Sequence, residues 1–284
     1  MLVNMKRMLE HASQNRYAVG AFNCATLESA QAAIRAAEEL NMPVILQHAQ
    51  AHEKYISIEM AAAIMLTLAK QASVPVCVHL DHGGSMEYVA RALRLGFTSV
   101  MYDASSASLA RNTEETRMIV RLAHSVDVTV EAELGSLPHN FTGELSDYCP
   151  EDFYTVPEEA ARFAADTGVD ALAVSFGTVH GLYKSSPKLS FDIPRRIHQL
   201  TGGLPLVMHG GSGLSADDYR RAIDAGVCKI NYYTYEALAG GRGAYQAVAA
   251  QPEGLQFHDV AMTATEWMKQ NVKQVLRIFA GDRP

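Results

Sequence analysis

Short apolar runs alternate with longer amphipathic stretches along nearly the whole chain. The runs at 17–23, 43–49, 75–80, 97–102, 128–134, 170–176, 204–208 and 227–231 read as buried strands. Between them, apolar residues recur at helical spacing over 27–41, 58–72, 86–95, 110–125, 157–167, 192–200 and 216–225. Thr26 and Ser85 stand where N-caps are needed, and Ser215 opens a helix with Asp217 and Asp218 in its first turn. The tail 232–284 is predicted to be helical, with an extra helix near 262–279. Eight strand–helix units without a break in composition predict one α/β domain over 1–284, a (β/α)8 TIM barrel. A doubly wound sheet is the alternative, but it gives no reason for widely separated strand ends to converge. The segment 136–155 has no clear period and is long for a connection, so it is expected to be a flexible functional loop.

Composition narrows the classes. With 48% hydrophobic and 19% charged residues in 284, the chain can fill a large core and is not a disordered one. A net charge of −7 with no cluster of Lys or Arg argues against a nucleic-acid surface. Cys24, Cys77, Cys149 and Cys228 form no CxxC pair, and three of them fall in strand-like runs, so reduced thiols are expected. The opening MLVNMKRMLEHAS lacks the apolar stretch of a signal peptide, and no apolar run reaches membrane-spanning length. The expectation is a cytoplasmic protein with neither a nucleic-acid nor a membrane partner.

Three of the apolar runs end in histidine beside glycine: His79-Leu80-Asp81-His82-Gly83, Val179-His180-Gly181 and His209-Gly210-Gly211-Ser212-Gly213. In a parallel barrel those strand ends share one face, and three neutral imidazoles with an open position suit a catalytic zinc. Taken alone, His82 could be a surface histidine and Asp81 a helix cap; three such ends together favour the metal. Asp81 would then be free for proton transfer, and His79, within its strand, reads as packed. The glycine run after strand seven can cradle an anion with backbone N–H groups and a helix N-terminus. Asn231 and Thr234 after strand eight can complete that site, and Gly181 would let a phosphate come close. Glu131 and Glu133 alternate with apolar residues and should both point inward, orienting a histidine or the metal, a role open to Asp103 and Ser105 too.

HLDHG, EAELG, TGVDALAVSFGTVHGLYK, PLVMHGGSGL and the KIN run resemble the class II, zinc-dependent fructose- and tagatose-bisphosphate aldolases, in the tagatose-type branch. The resemblance runs from Gly20-Ala21-Phe22-Asn23 to strand eight. It implies reversible cleavage of a ketose phosphate to dihydroxyacetone phosphate and an aldehyde, with Zn2+ on His82, His180 and His209 and Asp81 as proton donor and acceptor. It also implies phosphate binding by Gly181, by Gly210, Gly211 and Ser212, and by Asn231, Tyr232, Tyr233 and Thr234. Glu131 would belong to the outer polar shell, and a monovalent cation, Na+ or K+, would suit the phosphate loops. The family's second acid–base group is a glutamate on the loop after strand five. Here the usual Glu-Asp pair is absent, and Glu144 is the nearest candidate.

The aldehyde side departs further. Gln47-His48-Ala49-Gln50-Ala51-His52 follows strand two where the family has small residues, and Tyr232 and Tyr233 follow Asn231. No Lys or Arg stands in 47–52 or 232–235. Hydrogen bonds from Gln47, His48, Gln50 and the tyrosine hydroxyls are expected to hold a hydroxylated aldehyde. The expected substrate is therefore a ketose 1-phosphate, with a fructose- or tagatose-1,6-bisphosphate aldolase as the alternative. A Schiff-base aldolase would need a buried barrel lysine; strand six has none, and Lys229 is expected at the N-terminal side of strand eight. A zinc hydrolase would normally show His-x-His in strand one, and a non-catalytic sugar-phosphate sensor would not need Asp81. A homodimer or homotetramer is expected.

Overall fold

The computed structural model describes residues 1–136, 139–140, 150–183, 186–251 and 253–281. Eight parallel strands close into a barrel: β1 Val19–Asn23, β2 Val44–Ala49, β3 Val76–Gly83, β4 Ser99–Tyr102, β5 Thr129–Leu134, β6 Ala171–Val174, β7 Leu206–Met208 and β8 Val227–Tyr232. Each strand pairs with its neighbours in sequence, and β1 closes on β8 with Val19 opposite Lys229 and Ala21 opposite Asn231. The helices α2 Leu27–Glu39, α3 Ile58–Gln71, α4 Met86–Leu95, α5 Leu109–His124, α6 Pro157–Thr167, α7 Asp192–Leu200 and α8 Ala216–Asp224 form the outer ring. Thr26, Ser57, Ser85, Ser108 and Ser215 each cap a helix by accepting a backbone N–H, so the chain enters its helices soon after leaving the strands. The eight-stranded barrel is the expected (β/α)8 fold, with strand ends shifted by at most three residues.

The core has two parts. One cluster fills the layer between strands and helices, with Phe22, Val78, Phe97, Phe163 and Phe279 fully or almost fully buried. The other occupies the barrel interior, where Val19, Ala21, Ile45, Cys77, Ala171, Ala173, Val207 and Cys228 meet Met5, Leu9 and Ala12. Those last three belong to α1, Met5–Gln14, a helix that the strand–helix reading did not anticipate. It plugs the barrel beneath the strands, and Thr129 Oγ1 accepts the N–H groups of Met5 and Lys6. The C-terminal tail forms two helices, α9 Thr234–Ala250 and α10 Phe257–Ala280, the second longer than predicted. Of the expected loop 136–155, residues 137, 138 and 141–149 lie outside the described residues, and Cys149 and Glu144 with them. His139–Asn140 pairs in parallel with His180–Gly181. Among the described residues, Cys24, Cys77 and Cys228 are buried free thiols, and no helix is long and apolar enough to cross a membrane.

Candidate active site

The C-terminal ends of the strands surround a cavity of about 440 Å3. At the end of β3 the ladder to β4 breaks register between Leu80 and Gly83, and His82 takes a φ of +49°. That conformation is uncommon for a side chain larger than glycine and marks a strained turn. It lets Asp81 and His82, adjacent in sequence, both line the cavity. His180 follows β6 and His209 follows β7 directly. Donor atoms of His82, His180 and His209 all lie within 4.8 Å of one another.

Carboxylates fix two of these rings. Asp103 Oδ2 stands 2.6 Å from His82 Nδ1, and Glu131 Oε1 stands 2.9 Å from His209 Nε2. Each pair holds one ring nitrogen as a donor and leaves the other for a metal. The remaining nitrogens, His82 Nε2 and His209 Nδ1, are buried without a well-aligned hydrogen-bond partner. Orphaned ring nitrogens facing a shared point, with acids behind them, fit a divalent cation that takes imidazole ligands. Glu133 stands nearer than an outer-shell residue would: its Oε2 is 3.1 Å from His209 Nδ1, and it forms a second donor group with His82 and Asp103. Burial opposes charge on His209, but Glu131 and Glu133 outweigh it and raise its pKa to about 10. Such a negative setting also attracts a cation.

Asp81 is 4% exposed and is gripped from both sides. Asn23 Nδ2 of β1 donates to its Oδ2 at 2.8 Å, and Asn231 Nδ2 of β8 donates to its Oδ1 at 3.0 Å. Burial disfavours its charge, yet His82, His209, the Lys229 ammonium and the Asn23 amide together hold the carboxyl well below the ordinary range. It is therefore held ionised and oriented at the cavity wall, a state in which a carboxylate can accept a proton.

The loops expected to hold a phosphate interlock. Gly210 has a φ of +65°, and a Cβ there would lie 2.3 Å from Val179 O, so only glycine fits. Tyr183 OH accepts from Val179 N and donates to Gly210 O, tying the His180 turn to this loop. Ser212 Oγ accepts the N–H groups of Tyr233 and Thr234 at 2.9 and 3.1 Å. Gly181, Gly210, Gly211, Ser212, Asn231, Tyr233 and Thr234 all border the cavity.

Several expectations need correction. Tyr232 borders the cavity, but its ring lies in the layer between strands and helices, edge-on to Phe22 at 6.0 Å, because it follows inward-facing Asn231 on the strand. The same alternation spends Gln47 on Asn23 Oδ1 and turns His48 toward the Tyr88 hydroxyl. Gln50 Oε1 accepts from Gly84 N. The residue of this run that reaches the cavity with a ring is His52, 4.7 Å from the Tyr233 ring, in a short turn after β2 whose direction no periodicity reveals. Lys229 is wholly buried inside the barrel, 2.8 Å from both Glu131 Oε2 and Asn231 Oδ1. It is absent from the cavity wall and engaged by both partners, so it supplies no Schiff-base amine.

Fold and site together define a (β/α)8 enzyme whose mouth presents a donor cluster able to hold a metal ion beside an ionised aspartate. The sequence profile of the class-II fructose-bisphosphate aldolases matches residues 3–282. A probable fructose-bisphosphate aldolase of Bacillus subtilis (strain 168) is 38% identical over 282 residues, covering 98% of this chain and 97% of that protein. A fructose-bisphosphate aldolase of Staphylococcus aureus (strain Mu50 / ATCC 700699) is 38% identical over 284 residues, with the same coverage. The crystal structure of the YdjI aldolase from Escherichia coli K12 superposes with a TM-score of 0.86 at 33% identity, over 99% of this chain and 98% of that one. The chain belongs to the class-II fructose-bisphosphate aldolase family, metal-dependent carbon–carbon lyases.

Proposed function

We propose that this lyase is a zinc enzyme of the tagatose-type branch that reversibly cleaves a ketose 1-phosphate into dihydroxyacetone phosphate and an aldehyde. His82, His180 and His209 would hold the zinc, with Glu133 at its edge. When bound, zinc supplies a Lewis acid for the negative charge that develops beside the carbon–carbon bond being broken. Asp81 takes the proton from the hydroxyl of the departing aldehyde carbon and returns it in condensation. The bond electrons remain on the dihydroxyacetone phosphate carbon, which is protonated by a second acid; Glu144 is the candidate and lies outside the described residues. Backbone N–H groups of the 210–212 loop, with Gly181, Asn231 and Thr234, would bind the single phosphate, and a Na+ or K+ ion would suit that loop.

The observation that carries the substrate choice is the cavity wall. No Lys or Arg lines it among the described residues, and its aldehyde side offers His52 and Tyr233. A second phosphate would lack the guanidinium or ammonium partner it normally takes. The names of the relatives favour a fructose bisphosphate instead. Measuring kcat/KM over ketose 1-phosphates and their 1,6-bisphosphates decides between them. A 1-phosphate should be at least tenfold better, with activity lost to a chelator and restored by zinc; a preference for fructose or tagatose 1,6-bisphosphate refutes the reading. Exposed Tyr245, Val248 and Trp267 on the outer side of α9 and α10 favour a homodimer or homotetramer, and the enzyme is read as cytoplasmic.

A further inference from the structure

A second cavity, of about 320 Å3, opens between α2, α9 and α10. It shares two wall residues with the active-site cavity: Asn23, which holds Asp81, and Tyr233, whose ring lies tilted against His52. Tyr233 therefore stands as a partition between the two spaces. Most of the other wall is small or apolar, with Ala237, Gly240, Ala244, Ala264 and Met268.

Glu236 does not fit that wall. It lies in the first turn of α9, is 1% exposed, and neither carboxyl oxygen has a hydrogen-bond partner. The usual local partner of an acid there is the N–H of the residue preceding the helix. That group is Tyr233 N, and it already donates to Ser212 Oγ. A buried carboxyl with nothing to bond destabilises the fold by more than an alanine would. Burial pushes its pKa well above the carboxylate range, so it keeps its proton and offers one donor and one acceptor. A neutral acid on an apolar wall matches a hydroxyl group, which can accept from the acid and donate back. Among the described residues, no Lys or Arg lines this cavity to attract a phosphate or carboxylate.

Building on the aldolase reading, we propose that this cavity extends the active site past Tyr233 and Asn23, and that Glu236 binds hydroxyl groups at the far end of the aldehyde. The enzyme would then favour long polyhydroxy aldehydes over short ones, because only the long ones reach Glu236. Condensation tests this directly: dihydroxyacetone phosphate is offered with glycolaldehyde, two carbons long, and with a five-carbon aldose. The quantity read is the ratio of kcat/KM for the five-carbon aldehyde to that for glycolaldehyde. Glu236→Leu should lower the ratio about tenfold, whereas Glu236→Gln, which keeps a donor and an acceptor, should hold it within about threefold. Ala264→Leu narrows the same cavity from α10 and should lower the ratio too, which keeps the test valid should Glu236→Leu fail to fold. An unchanged ratio in Glu236→Leu or Ala264→Leu overturns the proposal, as does an equal loss for both aldehydes. Absence of condensation with either aldehyde in the wild-type enzyme overturns the aldolase reading and the extension with it.

Discussion

Asp81 depends on its neighbours more than on its own chemistry. Two carboxamides fix both of its oxygens, and the positive groups around it keep it ionised despite burial. Asp81→Asn preserves the shape but accepts no proton, so kcat should fall by about 10²-fold or more. Metal content, read by elemental analysis, should stay at the wild-type value, because the histidines and their carboxylates are untouched. Exchange of the dihydroxyacetone phosphate proton with solvent should survive, since another base performs it; loss of exchange with cleavage spared would reverse the assignment. At this scale the sequence was most legible where chemistry and backbone coincide: His82, His180 and His209 each stand where an apolar run meets glycine. It was least legible for long or turned side chains. Lys229 starts opposite Val19 near the beginning of β1, yet its stem carries the ammonium up to Glu131 and Asn231. His52 and Glu236 take their roles from turns and packing that no period encodes.

Among the elements, the loop after β7 is the most constrained. Gly210→Ala would drive a methyl group into Val179 O and demand a left-handed alanine, so the loop must shift. The Tyr183 hydroxyl links that carbonyl loop to the His180 turn, so the displacement should reach the donor cluster. The expected outcome is a KM for the phosphorylated substrate at least tenfold higher and a melting temperature several degrees lower, read by steady-state kinetics and calorimetry. Wild-type kinetics in that variant would remove the loop from phosphate binding. The eight strand–helix units were readable because buried parallel strands are continuous apolar runs. The α1 helix was not, since the few apolar side chains it buries (Met5, Met8, Leu9, Ala12) sit among charged residues and have no strand to announce them.

Across the whole molecule, the wall of the barrel holds histidines that must stay neutral. Burial lowers His48 to about 4 and His79 to about 3, with His52 and Lys229 respectively adding to the effect. Both folded values lie below the unfolded value of about 6.5, so the unfolded chain takes up protons first as pH falls. This stability is complete above about pH 6.5 and drains away between there and about pH 4 for His48 and about pH 3 for His79. Urea midpoints measured at pH 7, 5.5 and 4.5 should fall steadily, and His48→Gln should flatten part of the slope; a midpoint independent of pH over that interval would refute the account. The grip on Asp81 has a larger consequence. Asn23 comes from the first strand and Asn231 from the last, while Asp81 lies on the third. Turnover therefore doubles as a reporter of ring closure. A fragment carrying β1–β4 holds the aspartate and one histidine, and a fragment carrying β5–β8 holds the other two histidines and the second carboxamide. Neither piece should be active alone, and turnover should return only in a mixture that pairs β1 with β8 and β4 with β5.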